Sequence, residues 1–215
     1  MPAIAWLPWS AASFARARTE RKPVLLSIAP TWCRNSVEMD RSSFADPDVV
    51  ARVGLRYVAI RVDADRRPDI SERYSLGGWP TTAFLTPDGG VLGGGTYVDH
   101  HRLAETLERA EGRSCASFVE SRAALHPSSG ACWIEVAGAY AMFDTPTSPV
   151  TQTFGLGMFQ TPTDADMARI ETFFAERGAP VFHEVSPLAG EAMPGYLALS
   201  TRQPFETAIS VSDRC

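Results

Sequence analysis

Several things are scarce in this chain, and each scarcity removes a class of function. Of its 20 Lys and Arg residues only Lys22 is a lysine, and the formal net charge is -5. There is no run of basic residues, so a nucleic-acid partner is not expected. The near-absence of lysine reads as compositional bias before function. No stretch approaches the roughly 18 apolar residues of a membrane span, so no membrane partner is expected either. The first residues, Met1-Pro2-Ala3-Ile4-Ala5-Trp6, carry no basic n-region and no apolar segment after it. A signal peptide is therefore not expected, which points to a cytoplasmic, reducing location and free thiols. The four cysteines, Cys33, Cys115, Cys132 and Cys215, are too irregularly spaced for a zinc site or a disulfide framework. His100-His101 has no Cys or carboxylate at ligand spacing, so neither a metal nor any other cofactor is expected.

The most consequential absence is a second sulfur. Cys33 lies in Trp32-Cys33-Arg34-Asn35-Ser36, just after the apolar run Val24-Leu25-Leu26-Ser27-Ile28-Ala29. A cysteine leaving a buried strand where a helix is about to begin sits at the positive end of the helix dipole, which favours a thiolate. Arg34 adds positive charge next to it. A dithiol site would have cysteine three residues on; here that residue is Ser36. A serine hydroxyl cannot attack a mixed disulfide, although it can donate a hydrogen bond to the Cys33 sulfur. If Cys33 reacts, an outside thiol must complete the cycle.

What is present is an ordinary globular composition, 45% hydrophobic and 21% charged over 215 residues, enough for one large or two small domains. Ser10 caps a helix over 11–20, and Pro23 and Pro30 bound a buried strand at 24–29. A helix follows from Cys33 to Arg41, and Asp46 caps another that starts at Pro47. A strand over 55–62 places Tyr57, Ala59 and Arg61 on one side and Val58, Ile60 and Val62 on the other. A short helix at 69–74, the break Gly77-Gly78-Trp79-Pro80, a strand at 81–86, the turn Pro87-Asp88-Gly89-Gly90 and a return strand from Val91 come next. Asp99 opens a helix through Leu103, Leu107 and Ala110. This order predicts an α/β layer around a mixed sheet. Asp63, Arg67 and Asp69 read as loop-ordering ion pairs or caps.

A second region begins at about Gly112. It is predicted to hold a helix that ends before Pro127, strands near 131–143 and 153–159, a capped helix over 163–177 and a strand at 181–185. His183-Glu184 falls in a strand, where neighbours face opposite ways, so a paired acid/base role is not expected. Periodicity fades after Pro194.

Residues 4–110 resemble the thioredoxin-like domain of the DUF255 family. The resemblance rests on Trp6-Leu7-Pro8-Trp9, Lys22-Pro23-Val24-Leu25-Leu26-Ser27, Met39-Asp40-Arg41-Ser42-Ser43-Phe44, Val62-Asp63, Arg67-Pro68-Asp69, Gly77-Gly78-Trp79-Pro80-Thr81, Phe84-Leu85-Thr86-Pro87-Asp88-Gly89 and Gly94-Gly95-Thr96-Tyr97. It implies a thioredoxin-like fold, a mixed central sheet flanked by helices. It also implies a thiol at Cys33, Ser36 in place of the second cysteine, and a cis proline at Pro80 beside the site. Trp32, Arg34, Trp79 and Pro80 would line or support the substrate groove, with Trp32 either a lid over the thiol or a packing side chain. Arg34 and Val37 stand where the family signature has histidines.

The second region resembles the first portion of a GNAT-type N-acetyltransferase. That likeness is carried by Trp133-Ile134-Glu135-Val136-Ala137-Gly138-Ala139-Tyr140-Ala141-Met142-Phe143, Gln152-Thr153-Phe154-Gly155-Leu156-Gly157 and Phe182-His183-Glu184-Val185-Ser186-Pro187-Leu188. The glycine-rich turn that would hold a pyrophosphate is missing, so acetyl transfer is not expected.

The resulting expectation is two parts. Residues 1–112 form the thioredoxin-like domain, and residues 113–215 form an incomplete GNAT-like α/β region, truncated or disordered after 190. The function expected is monothiol thiol–disulfide exchange with protein or small-molecule thiols and disulfides, glutathione among them. The alternative is a non-catalytic binding module, with Cys33 incidental.

Overall fold

Val24–Ala29 (β2) is aliphatic almost throughout and buried along nearly its whole length, which requires a layer on each side. The computed structural model, which describes residues 3–185, 189 and 208–211, supplies both layers. The chain divides into two compact units, Met1–Glu111 and Gly112–Cys215.

In the first unit β2 is the central strand. It pairs in parallel with Val58–Asp63 (β3) and antiparallel with Thr81–Leu85 (β4); Leu7–Pro8 (β1) and Val91–Gly95 (β5) form the edges, in the order β1-β3-β2-β4-β5. Side-chain alternation divides the core. Leu25, Ala59 and Phe84 face one way, onto Met39 of α2 (Arg34–Arg41), Val49, Val50 and Val53 of α3 (Pro47–Arg56), and Leu103 and Leu107 of α5 (His100–Leu125). Leu26, Val58, Ile60 and Ala83 face the other way, onto Ala17 of α1 (Ala11–Glu20) and Ile70 of α4 (Pro68–Arg73). Tyr57 donates its hydroxyl to the Leu107 carbonyl, and Arg52 and Arg56 pair with the buried Glu108 and Glu111. These contacts fix α5 on α3.

The caps behave as their residue types dictate. Ser10 accepts from the Ser13 amide at 3.1 Å, and Asp46 accepts from Asp48 and Val49 at 3.0 and 3.1 Å. The expected strand over 55–62 begins later, at Val58, because α3 runs on through Arg56. Its predicted alternation holds. In Gly93-Gly94-Gly95, an added Cβ at Gly94 would strike the Thr82 carbonyl oxygen and lie 2.7 Å from Leu76 Cδ1, and φ there is +153°. The close approach of β5 to β4 therefore requires glycine.

In the second unit Cys132–Val136 (β6), Ala139–Phe143 (β7) and Gln152–Phe154 (β8) run antiparallel. The helix Asp164–Ala175 (α6) then crosses to Phe182–Val185 (β9), parallel to β8, with Ala208–Val211 (β10) parallel beyond it. The architecture is α/β, as expected. Two readings need correction. The separate helices expected through Ala110 and up to Leu125 are one, α5, with Gly112 inside it, although the division into compact units falls at that residue. A Cβ there would come 2.7 Å from Tyr140 Cδ2, so the glycine makes room for a ring and does not end the helix. The strand expected over 153–159 stops at Phe154, where Gly155 and Gly157 take positive φ. The expectation for the chain after 190 lies outside the described residues, apart from β10.

His183 is buried at 2% exposure, with Nδ1 2.8 Å from the Thr153 hydroxyl, while Glu184 accepts from Gln152 at 3.1 Å. The two neighbours thus have separate partners, as strand alternation requires.

Two predictions follow from this packing. Gly94→Ala lowers stability by about 1–3 kcal/mol, the usual cost of overpacking, read as a fall in the denaturation midpoint. Burial also pushes the His183 pKa down from 6.5 to about 4. Below about 6.5 the unfolded chain binds a proton that the folded chain refuses until about 4. The contribution is therefore complete above that window and is lost as pH falls through it, by about 3 kcal/mol across the whole span. His183→Gln keeps a partner for Thr153 and cannot titrate. Calorimetric melting of the variant between pH 7.5 and 4.5 is expected to show a shallower acid slope than the parent; equal slopes would refute this.

Candidate functional site

The sheet register builds the site. Ile28 lies opposite Thr81 and Ala29 opposite Asp63, so the exit of β2, the exit of β3 and the entry of β4 share one end of the sheet. Three loops meet there. The first runs Pro30-Thr31-Trp32-Cys33. The Cys33 amide donates to the Pro30 carbonyl at 3.1 Å, which turns the chain and makes Cys33 the N-cap of α2. Cys33 is buried at 8% exposure and makes no side-chain capping bond, so no side chain caps the positive end of the helix beside the thiol. Arg34 is exposed.

The second loop enters β4. Trp79-Pro80 is a cis peptide bond, and Thr81 donates its hydroxyl to the Gly78 carbonyl at 2.8 Å. Trp32 and Trp79 meet edge to face with ring centroids 5.7 Å apart, and they are 67% and 43% exposed. The Trp32 indole donates to Asp65 at 3.1 Å, and Asp65 in turn donates its amide to Asp63. Of the two roles open to Trp32, packing is limited to this exposed aromatic pair. Arg67 and Asp69 form a two-pronged ion pair at 2.8 and 2.7 Å at the start of α4, the structural role expected of them.

Ser36 sits one turn into α2, its amide on the Cys33 carbonyl at 3.1 Å. Its hydroxyl is buried and has no hydrogen-bond partner among the described residues. The hydrogen bond to the Cys33 sulfur that serine chemistry allowed is therefore not made. Instead Ser36 lines a cavity of about 230 Å³, together with Ser27, Pro30, Asp40, Arg61 and Pro80. Arg61 grips Asp40 with both terminal nitrogens and lies 4.2 Å over the Trp6 ring. Asp63, also on the wall, is ion-paired with Arg66 at 3.5 Å and accepts from the Asp65 amide at 3.0 Å.

Cys33, Ser36, Trp32, Trp79 and Pro80 thus gather at one sheet end, while Arg34 is solvent-exposed. Sequence reading missed Ser27, Asp40 and Arg61 as parts of this place. A signal existed: Ser27 and Arg61 are the polar interruptions of two aliphatic strands. Their pairing, opposite one another in register, needs the sheet to be seen. Among the described residues no group of three or more His, Cys, Asp or Glu could hold a metal. No helix among them is long and apolar enough to cross a membrane.

Residues 2–111 match the family model Thioredox_DsbH, described as a protein of unknown function, DUF255. The uncharacterized protein B0495.5 of Caenorhabditis elegans is 35% identical over 102 residues, which cover 44% of this chain and 14% of that protein. Human spermatogenesis-associated protein 20 is 33% identical over 102 residues, 44% of this chain and 13% of the relative. Thiol:disulfide interchange protein DsbD 2 of Pseudomonas aeruginosa is 33% identical over 78 residues, 35% and 13%. The chain therefore spans about one seventh of the length of the curated relatives it matches. Among solved structures, a thioredoxin from Thermus thermophilus aligns with a TM-score of 0.48 at 21% identity, over 54% of this chain and 93% of that one.

Proposed function

The chain belongs to the Thioredox_DsbH (DUF255) family, and from that premise we propose that its first unit performs thiol–disulfide exchange of monothiol type at Cys33. One observation carries the reading. The N-cap residue of α2 is a nearly buried cysteine whose thiol makes no capping hydrogen bond, at the sheet end that also presents a cis proline and two exposed indoles. The Cys33 thiolate attacks one sulfur of a partner disulfide. A Cys33–partner disulfide forms, and the partner's other sulfur leaves as a thiolate and takes a proton from water. Ser36 cannot carry out the second attack, so an external thiol releases the partner. The indole pair and the backbone at Pro80 hold the partner segment. The location that fits this cycle is a reducing compartment with free thiols, such as the cytoplasm. The name of DsbD 2 describes that protein as a thiol:disulfide interchange protein, and the same class of chemistry is what is proposed here.

Acetyl transfer is not assigned to the second unit. The start of α6 carries a capping box of Thr163 and Asp166, with Asp164 in the first turn. Carboxylates there repel the pyrophosphate of a coenzyme.

The test uses the full chain with Cys115, Cys132 and Cys215 changed to serine. Native protein is expected to react with iodoacetamide at Cys33 faster than free glutathione does at pH 7, and to accumulate one mixed disulfide with an oxidised partner. Cys33→Ser abolishes both. In a Ser36→Cys background the captured partner leaves without added thiol. Failure of Cys33 to react before unfolding would sink the exchange reading; retention of partner binding in Cys33→Ser would point to the binding-module alternative.

A further inference from the structure

The two indoles beside the thiol are more exposed than their mutual contact explains. Trp32, next to Cys33 in the chain, is 67% exposed, and Trp79, in the cis bond to Pro80, is 43% exposed. Their rings meet at 86°. An edge-to-face contact covers one face of a ring at most, so Trp32 keeps open ring surface in solvent. Exposed aromatic surface gathered in one place marks a contact site. Trp32 is also fixed in direction. Its indole N–H donates to Asp65 at 3.1 Å, and the Asp65 amide donates to Asp63 at 3.0 Å. A carboxylate accepting from the indole N–H pushes electron density toward the ring, and an indole face is already the best side-chain surface for a cation.

Each indole has a carboxylate beside it. Asp65 is bonded to Trp32, and Glu72 borders the same surface cleft as Trp79. Both are exposed. The cations of this stretch are engaged elsewhere: Arg66 with Asp63, Arg67 with Asp69, and Arg73 5.2 Å over the Tyr74 ring. No ion pair among the described residues neutralises Asp65 or Glu72. The opposing charge is Arg34, exposed in the first turn of α2. It follows Cys33 in the chain, whereas both carboxylates belong to the segment from the exit of β3 through α4. The surface around the indoles is thus aromatic and acidic together.

We infer that this indole and carboxylate surface selects partner disulfides whose cysteine has an arginine or lysine within one or two residues along an extended segment. The inference rests on the exchange reading above and names its substrate class. The cation lies against open indole surface, with Asp65 or Glu72 as counter-ion at the rim, while the neighbouring sulfur faces Cys33. The spacing is set by the chain itself, because Trp32 and Cys33 are consecutive and an extended partner advances about 3.3 Å per residue. The chemistry is unchanged: the Cys33 thiolate bonds to the partner sulfur, and the other sulfur of that disulfide leaves as a thiolate.

The experiment offers the triple-serine full chain three blocked pentapeptides. Each has a central cysteine held as a mixed disulfide with 5-thio-2-nitrobenzoate and flanked on both sides by arginine, glutamine or glutamate. Cys33 attacks the peptide sulfur, and 5-thio-2-nitrobenzoate leaves as a coloured thiolate. Each rate is divided by the rate for the same protein unfolded in urea, which removes the reactivity of the peptide itself. The expected ratio is about tenfold higher for the arginine peptide than for the glutamate peptide, the combined effect of one exposed cation–π contact and one surface ion pair. Asp65→Asn with Glu72→Gln removes most of that preference; the asparagine oxygen still accepts from the Trp32 indole, so only charge is lost. Glu20→Gln with Asp88→Asn removes the same charge near Val24 and Leu85, at the other end of the sheet, and keeps the preference. Equal ratios for the three peptides overturn the inference. So does a preference that the distant pair of changes reduces as much as the local pair, which would be the field of the whole anionic chain. Full preference in Trp32→Leu also overturns it, since the carboxylates alone would then select. Iodoacetamide reads the parent hypothesis separately: an inert Cys33 brings down the exchange reading and this inference with it, whereas a reactive Cys33 with equal ratios brings down only the selectivity.

Discussion

The first unit is organised by the placement of β2 between a parallel and an antiparallel neighbour. Parallel pairing with β3 requires a crossover, which α2 and α3 provide, so the chain must leave the end of β2 directly into a helix. Antiparallel pairing with β4 brings the entry of that strand to the same end, with Thr81 opposite Ile28. A thiol in the first loop and a proline in the second are then neighbours by construction. The two faces of β2 are covered by separate clusters, Leu25 with α2, α3 and α5, and Leu26 with α1 and α4. Burial on both faces forbids register slips, because a shift of one residue would exchange the two sets of side chains. The positions of Cys33 and Pro80 therefore inherit the rigidity of the most deeply buried strand.

Much of this was legible because each element carried its own punctuation. Pro23 and Pro30 bracket β2, Ser10 and Asp46 are oxygen caps, and Val58, Ile60 and Val62 alternate against Tyr57 and Ala59. The Thr163 capping box and the apolar face Met167, Ile170, Phe173 and Phe174 marked α6 equally plainly. What failed to show had a physical cause in each case. Gly112, where the second compact unit begins, also looked like a helix end because glycine weakens an isolated helix. Its role is steric and is set by Tyr140, 28 residues away in the chain. Leu7–Pro8 is too short to carry a period, and its strand character comes only from pairing with Ile60 and Arg61. At the site, Cys33 and Ser36 could be found from spacing alone. The cavity could not, since Ser27, Asp40 and Arg61 come from three elements and meet only through the parallel register of β2 and β3.

The ion pairs at this end of the sheet differ in how many contacts hold them. The outer pairs, Arg67 with Asp69 and Arg66 with Asp63, are solvent-facing and order loops more than they stabilise the unit. The pair of Arg61 with Asp40 is also partly exposed, but it is held on more sides. Its guanidinium is held from below by the Trp6 face and from the side by two carboxylate oxygens, so both its charge and its position are fixed. Asp40 lies on α2 and Arg61 on β3, so the pair ties the helix that begins at Cys33 to the sheet beneath it.

A serine at the second position changes the kinetics of such a site more than its structure. In a dithiol unit the second sulfur is tethered to the first and attacks at a high effective concentration, whatever thiol the solution contains. With Ser36 that advantage is gone, and the mixed disulfide persists for as long as free thiol takes to arrive. Two outcomes are stable. Either the long-lived adduct is the purpose, and the unit acts as a trap for its partner, or external thiol is abundant enough to release it and the unit turns over.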